Sequence, residues 1–226
     1  MRTIAVAAIA ALVATGCASN PVGGLNSAMA AKSETTEAYY IVDMKTNLDS
    51  APVYDALERG AGRNTNGMEI SKPLMMGAKP ASPGRFELVN PLETMGMGGL
   101  AGLAGSQATQ RMKTAKCDGA GFIGKAVRDT STHDMNMFVC AYPYEDGYSL
   151  QVYTNSTAKR SGGFKGMIEK GVMGAIGSEE EWTRNTVQGM LNQVAELGSA
   201  TMTLEESSGP LDIFDAEGNF VVASDT

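Results

Sequence analysis

Residues 121–157 read GFIGKAVRDTSTHDMNMFVCAYPYEDGYSLQVYTNST. Three stretches in it are rich in β-branched and aromatic residues: Phe122 to Asp129, Met135 to Tyr144 and Tyr148 to Asn155. Asp146-Gly147 is a tight-turn dipeptide suited to a two-residue hairpin. Centred there, the turn sets Glu145 opposite Tyr148, Ala141 opposite Val152 and Cys140 opposite Tyr153. Alternate residues of a strand share a face. One face then carries Met135, Met137, Val139, Ala141, Leu150 and Val152, and reads as core. The other carries Phe138, Cys140, Tyr142, Tyr144 and Tyr153. It is aromatic and half-polar, and either a helix covers it or it is left as a binding surface.

The flanking sequence supplies further elements. Ala38 to Lys45 reads as a strand. Asn47 to Ser50 opens a short helix with Pro52 in its first turn, an apolar stripe of Val53, Tyr54 and Leu57, and Gly60 at its end. Phe86 to Val89 is a short strand. The strongest helix runs from Ser178 to Leu197. Ser178 with Glu181 forms a capping box, Val187, Met190, Leu191 and Val194 form its buried stripe, and Gly198 stops it. Thr201 to Leu204 reads as a strand, and Ile213 to Ala223 as a final hairpin turning at Glu217-Gly218-Asn219. Connections long enough for parallel crossovers are scarce. The order predicts an α+β fold, an antiparallel sheet with two or three helices packed mainly on one face.

Two glycine-rich apolar stretches fit this pattern poorly. Met95 to Gly105 (MGMGGLAGLAG) reads as a close approach to another backbone or as a loop. Residues 161–177 (SGGFKGMIEKGVMGAIG) place Phe164, Met167, Ile168 and Val172 at helical spacing, but Gly166, Gly171 and Gly174 weaken a helix there. A weak helix or core-capping loop is the favoured reading, and a membrane-apposed segment the competing one.

The chain has 226 residues, 43% of them hydrophobic, enough for a real core. Its net charge is -7 with no Lys/Arg block, which argues against nucleic acid as a partner. A single histidine, His133, excludes any site that needs two imidazoles.

The first residues carry an address. Arg2 is followed by IAVAAIAALVATG and then Cys17. A basic start, a short apolar block and small residues before the cysteine have the build of a signal peptide, and the block is too short to span a bilayer. Leu12, Val13, Ala14, Thr15, Gly16 and Cys17 resemble the end of a bacterial prolipoprotein signal. Ala14 stands where the family usually has leucine. The resemblance implies lipid on the Cys17 sulfur, cleavage between Gly16 and Cys17, and acylation of the new amino group. Ala18, rather than an aspartate, resembles the sorting signal for the outer membrane of a Gram-negative cell.

On this reading residues 1–16 are a signal peptide, residues 17–36 a lipidated N-terminus and flexible linker, and residues 37–226 a single α+β domain. The linker is small, polar and free of aromatic residues. Cleavage removes Arg2 and no acid, so the mature chain is more acidic still. An acidic body is repelled by an anionic leaflet, and the lipid must hold it there.

Cys117 and Cys140 then remain. An even pair in an exported protein reads as a disulfide. Closing the loop between them is worth about 3 kcal/mol by chain entropy. A metal dithiolate or a redox pair is the alternative, without a C-x-x-C motif to support it.

Few residues suggest chemistry. His133, Met135 and Met137 share a strand face, and imidazole with thioethers suits a soft cation such as Cu(I) or Ag(I). Core filling is the competing use of these methionines. No G-x-S-x-G elbow or phosphate-binding loop occurs, no cofactor is implied, and nothing points to a catalytic carboxylate pair. The sequence therefore predicts a non-catalytic binding or scaffolding module, lipid-anchored at the periplasmic face of the outer membrane. Its expected partners are the bilayer itself, other envelope proteins or cell wall, and not nucleic acid. A periplasmic soft-metal carrier is the alternative. Tyr142, Tyr144, Tyr148 and Tyr153 are the expected contact surface, because tyrosine is favoured at interfaces. Ordinary sheet packing competes with that use.

Overall fold

In the computed structural model, which describes residues 35–75, 77–90, 113–131, 133–159, 178–198, 200–209 and 211–221, the quoted stretch folds as an antiparallel meander. Its strands are Phe122–Asp129 (β5), His133–Tyr144 (β6) and Gly147–Ala158 (β7). Around them lie Thr35–Lys45 (β1), Ser50–Gly62 (α1), Glu69–Ser71 (β2), Glu87–Val89 (β3), Thr114–Lys116 (β4), Glu179–Ala195 (α2) and Thr201–Ser207 (β8). Six strands form one antiparallel sheet in the order β2-β5-β6-β7-β1-β8, while β3 and β4 pair separately. The fold is α+β.

The hairpin turns one residue earlier than the Asp146-Gly147 reading predicts. Tyr144 pairs with Gly147, Cys140 with Gln151 and Ala141 with Leu150, so Glu145 and Asp146 make the turn. Gly147 is held at this place by a close approach: a Cβ there would collide with the carbonyl oxygen of Met44 on β1. The pairing shifts by two positions, which preserves the faces.

One face is the main core. Val42 and Met44 of β1, Phe122 of β5, Met137 and Val139 of β6, and Leu150 and Val152 of β7 pack under both helices. Val53 and Leu57 come from α1, and Val187, Met190, Leu191 and Val194 from α2. Glycine inside a helix costs about 1 kcal/mol relative to alanine. Gly60 and Gly189 are nonetheless required, because a Cβ on Gly60 would collide with the carbonyl of Gly189 where the helices touch. Ser178 caps α2, its Oγ accepting from the Glu181 N–H at 3.1 Å. Trp182 Nε1 donates to the Asn64 carbonyl at 2.9 Å, tying α2 to the end of α1.

Among the described residues, the second face is covered by non-helical chain. Phe86, Ala115, Cys117 and Ala120 pack on Ile123, Cys140 and Tyr142. Gln151 clips this strap down as a strand would: its Nε2 donates to the Gly84 carbonyl at 2.8 Å and its Oε1 accepts from the Phe86 N–H at 3.0 Å. The final hairpin is a tighter feature than predicted. Between 211 and 221 the paired residues reduce to a single bridge, Phe214 to Phe220, with a further bridge from Asn219 to Thr203. Asp215 organises the turn, accepting from the N–H groups of Glu217 and Asn219. The Met95–Gly105 and 161–177 stretches lie outside the described residues.

Candidate functional site

Cys117 and Cys140 form a disulfide, with Cα atoms 5.7 Å apart. Cys140 points to the strap side of β6. The turn at Asp118 and Gly119, where the Ala120 N–H donates to the Cys117 carbonyl, brings Cys117 over it. The bridge ties the strap to β6, one of the two central strands of the sheet, and both cysteines are buried.

The four tyrosines do not form a contact surface. Tyr142 is 1% exposed, Tyr144 6%, Tyr148 0% and Tyr153 1%. Tyr142, Tyr144 and Tyr153 share the strap face, whereas Tyr148 alternates in phase with Leu150 and Val152 and joins the helix-covered core. The physical reason is that a half-polar face still buries well once a strap supplies partners. Tyr144 donates to Asp43. Phe86 and Phe138 lie against the Tyr153 ring, with centroids 6.2 and 6.1 Å away. Burial pushes the hydroxyls of Tyr142 and Tyr153 up to about 12. Burial and the Asp43 hydrogen bond raise Tyr144 as well. Tyr148 donates to the Leu48 carbonyl at 2.9 Å, and the Lys79 ammonium lies 4.6 Å from its ring centroid.

His133, Met135 and Met137 do share a face, but they divide between two environments. Met135 and Met137 are 3% and 0% exposed and belong to the main core, filling space among Ala126, Val139 and the helices. His133 is half-buried at the start of β6. Among the described residues no group of three or more His, Cys, Asp or Glu side chains is arranged to hold a metal.

A polar group that the sequence reading missed lies beside His133. Thr36 Oγ1 of β1 donates to Glu179 Oε2 of α2 at 2.7 Å. Burial raises the Glu179 carboxyl above the usual range, while the hydroxyls of Thr36 and Ser156 and the nearby His133 pull it back. Glu179, Glu180 and Glu181 are equivalent in sequence as acids of a helix first turn, where they complement the dipole. Only the docking of α2 on the sheet turns Glu179 inward.

On the outer side of the same helix start, a cleft of about 410 Å³ is lined by Ser178, Glu180, Glu181, Arg184, Leu211 and Asp212. Its polar groups are largely committed to structure. Ser178 caps the helix, and Arg184 pairs with Asp212 at 3.2 Å.

The chain matches no family model and no curated protein. Cys17 lies outside the described residues, and no described helix is long and apolar enough to cross a membrane.

Proposed function

We propose that the chain is an envelope lipoprotein, anchored through lipid on Cys17 at the periplasmic face of the outer membrane, whose α+β domain serves as a non-catalytic binding or scaffolding module. The observation that carries this reading is the LVATGC stretch ending at Cys17 after an apolar block with a basic start. The Cys117–Cys140 disulfide supports it, because such bridges persist in oxidising compartments outside the cytosol. Several acyl chains on one residue would hold the acidic domain at a surface that its own charge disfavours. The domain's partners would be other envelope proteins or cell wall.

The test is metabolic labelling with palmitate in intact bacteria expressing the full chain, with Cys17→Ser alongside. Labelled wild type in the membrane fraction, and an unlabelled variant released from it, is the expected pair of results. A variant that stays membrane-bound, or a wild type that never takes up label, overturns the reading. Crosslinking in the same cells would then identify the partner.

A further inference from the structure

We propose that Asn66-Gly67 is a site of spontaneous covalent modification by water, where the asparagine is converted to aspartate and isoaspartate and the edge strand β2 takes up the change. The proposal holds whether or not Cys17 carries lipid, and so goes beyond the lipoprotein reading.

Of the chain's asparagines, only Asn66 is followed by glycine. Glycine has no Cβ to shield its own amide nitrogen, and that nitrogen is the nucleophile. Hydroxide removes the Gly67 amide proton, and the nitrogen attacks Cγ of Asn66. A C–N bond forms, the Cγ–Nδ2 bond breaks, and ammonia leaves with a proton from water, which restores the hydroxide. The product is a five-membered succinimide. Water then opens the ring at either carbonyl. One opening gives aspartate on the original main chain. The other gives isoaspartate, whose main chain runs through the former side chain and is one carbon longer. The sum is asparagine plus water to acid plus ammonia.

Such a pair reacts in a folded protein only where the fold leaves it free, and here it does. Asn66 and Gly67 are both exposed between α1 and β2. Gly67 has a φ of +116°, and nothing lies within 4 Å of where its Cβ would stand. Neither the Asn66 side chain nor the Gly67 N–H has a hydrogen-bond partner among the described residues. Asn155, followed by the small Ser156, is the opposite case. It is 2% exposed, its Nδ2 donates to the Lys113 carbonyl at 2.9 Å, and its Oδ1 accepts from Asn136 at 2.9 Å. Its main chain is paired with both β1 and β6. Asn64, two residues before the site, is also held: its Nδ2 donates to the Asn185 carbonyl at 2.8 Å.

The surroundings decide where a longer main chain is absorbed. On the N-terminal side the chain is anchored. The Thr65 N–H and hydroxyl both donate to the Ala61 carbonyl, at 3.1 and 3.0 Å, and the Asn64 carbonyl accepts from Trp182. On the C-terminal side, Met68 lies against Gly124, and β2 pairs with β5 over only three residues, from Glu69 to Ser71. A three-residue edge strand is the weaker of the two attachments, because little else holds it. The extra carbon and the new carboxylate therefore disturb β2 and its pairing with β5, while the tie between α1 and α2 stays in place.

The test ages the purified full chain at mildly alkaline pH, natively folded and unfolded in urea, and follows each asparagine by peptide mapping. Isoaspartate is tagged with protein isoaspartyl methyltransferase and labelled S-adenosylmethionine. In the native protein Asn66 should convert many-fold faster than Asn155, at a rate within a few-fold of its rate in urea. Native conversion many-fold slower than in urea, or no faster than that of Asn155, would overturn the proposal. Asn66→Gln should abolish the tag at this peptide, and a tag that persists there would place the reaction elsewhere. In NMR spectra of the aged protein, amide signals of Glu69–Ser71 and Ile123–Lys125 should move while the Trp182 indole N–H signal does not. Asn66→Asp, which adds the charge without the carbon, should move them less. A displaced indole signal with β2 unmoved would overturn the assignment of the strain to β2.

Discussion

Thr36 and Glu179, 143 residues apart, are joined by a 2.7 Å hydrogen bond that fixes the first turn of α2 to the first strand of the sheet. The acceptor is a carboxyl whose proton is held more tightly in the folded protein than in water, chiefly because of burial. A group of that kind contributes its full stability below its unfolded value, and the contribution is lost as pH rises through the raised folded value. The window therefore opens at 4.5, the ordinary value for glutamate, and extends upward. Glu179→Gln keeps an acceptor for Thr36 and cannot ionise. Its urea midpoint should stay flat across this window while that of the wild type declines. An unchanged slope in the variant would show that Glu179 is not the titrating group.

The Cys117–Cys140 bridge spans a sequence separation of 23 residues. Replacing both cysteines with alanine restores the loop entropy of the unfolded chain. The expected loss is about 3 kcal/mol, read as a lower urea midpoint with little change in the folded circular dichroism spectrum. Single replacements would leave a buried thiol and obscure the comparison.

Met137 tests the core assignment of the methionine pair. Fully buried among apolar side chains, it should accept Met137→Leu at a cost below about 1.5 kcal/mol, because volume and polarity are nearly kept. Met137→Ala should cost about 2–5 kcal/mol by leaving a cavity. Similar costs for both variants would mean that the thioether itself matters.

At Gly60 and Gly189 the backbones of α1 and α2 approach too closely for a Cβ on either residue. Gly60→Ala would raise intrinsic helix propensity, yet its methyl group would meet the Gly189 backbone, which cannot rotate away. Separating the helices should cost about 1–3 kcal/mol, seen as a lower Tm. A higher Tm would show that the helices do not touch here.

Tyr142 and Tyr153 should ionise only near 12, against an ordinary value of 10.0. Both are raised by burial, so the stability they confer is complete below pH 10 and is lost as pH rises toward 12. Phenolate absorbance in the native protein should therefore lag behind that of the urea-unfolded chain. Tyr142→Phe should remove part of the late step. It should also stabilise the fold by up to about 1 kcal/mol, because the Tyr142 hydroxyl is buried without a hydrogen-bond partner among the described residues.

Local pattern determined much of the architecture. Alternation from Phe122 to Asn155 is a property of neighbouring residues. It defined β5, the two hairpin faces and the antiparallel sheet, and the capping of α2 by Ser178 was likewise legible as a four-residue pattern. The pairing partner of Cys117 followed once the signal resemblance had set Cys17 aside, leaving an even pair. The α+β class followed from the order of elements. What covers each face could not be read this way, because the covering residues lie far away in sequence. The strap from Gly84 to Phe86, held by the Gln151 clip, packs over Tyr142 and Tyr153, two of the tyrosines that the sequence offered as a surface. The carbonyl of Met44 places Gly147 in the strand rather than the turn. Packing of α2 on β1 selects Glu179 from three equivalent acids. Register among β1, β6 and β7 gathers Thr35, Lys113, Lys159 and Ser178 at one end of the sheet. Each of these depends on contacts that exist only once the chain has closed on itself, and burial, charge and access are decided by those contacts.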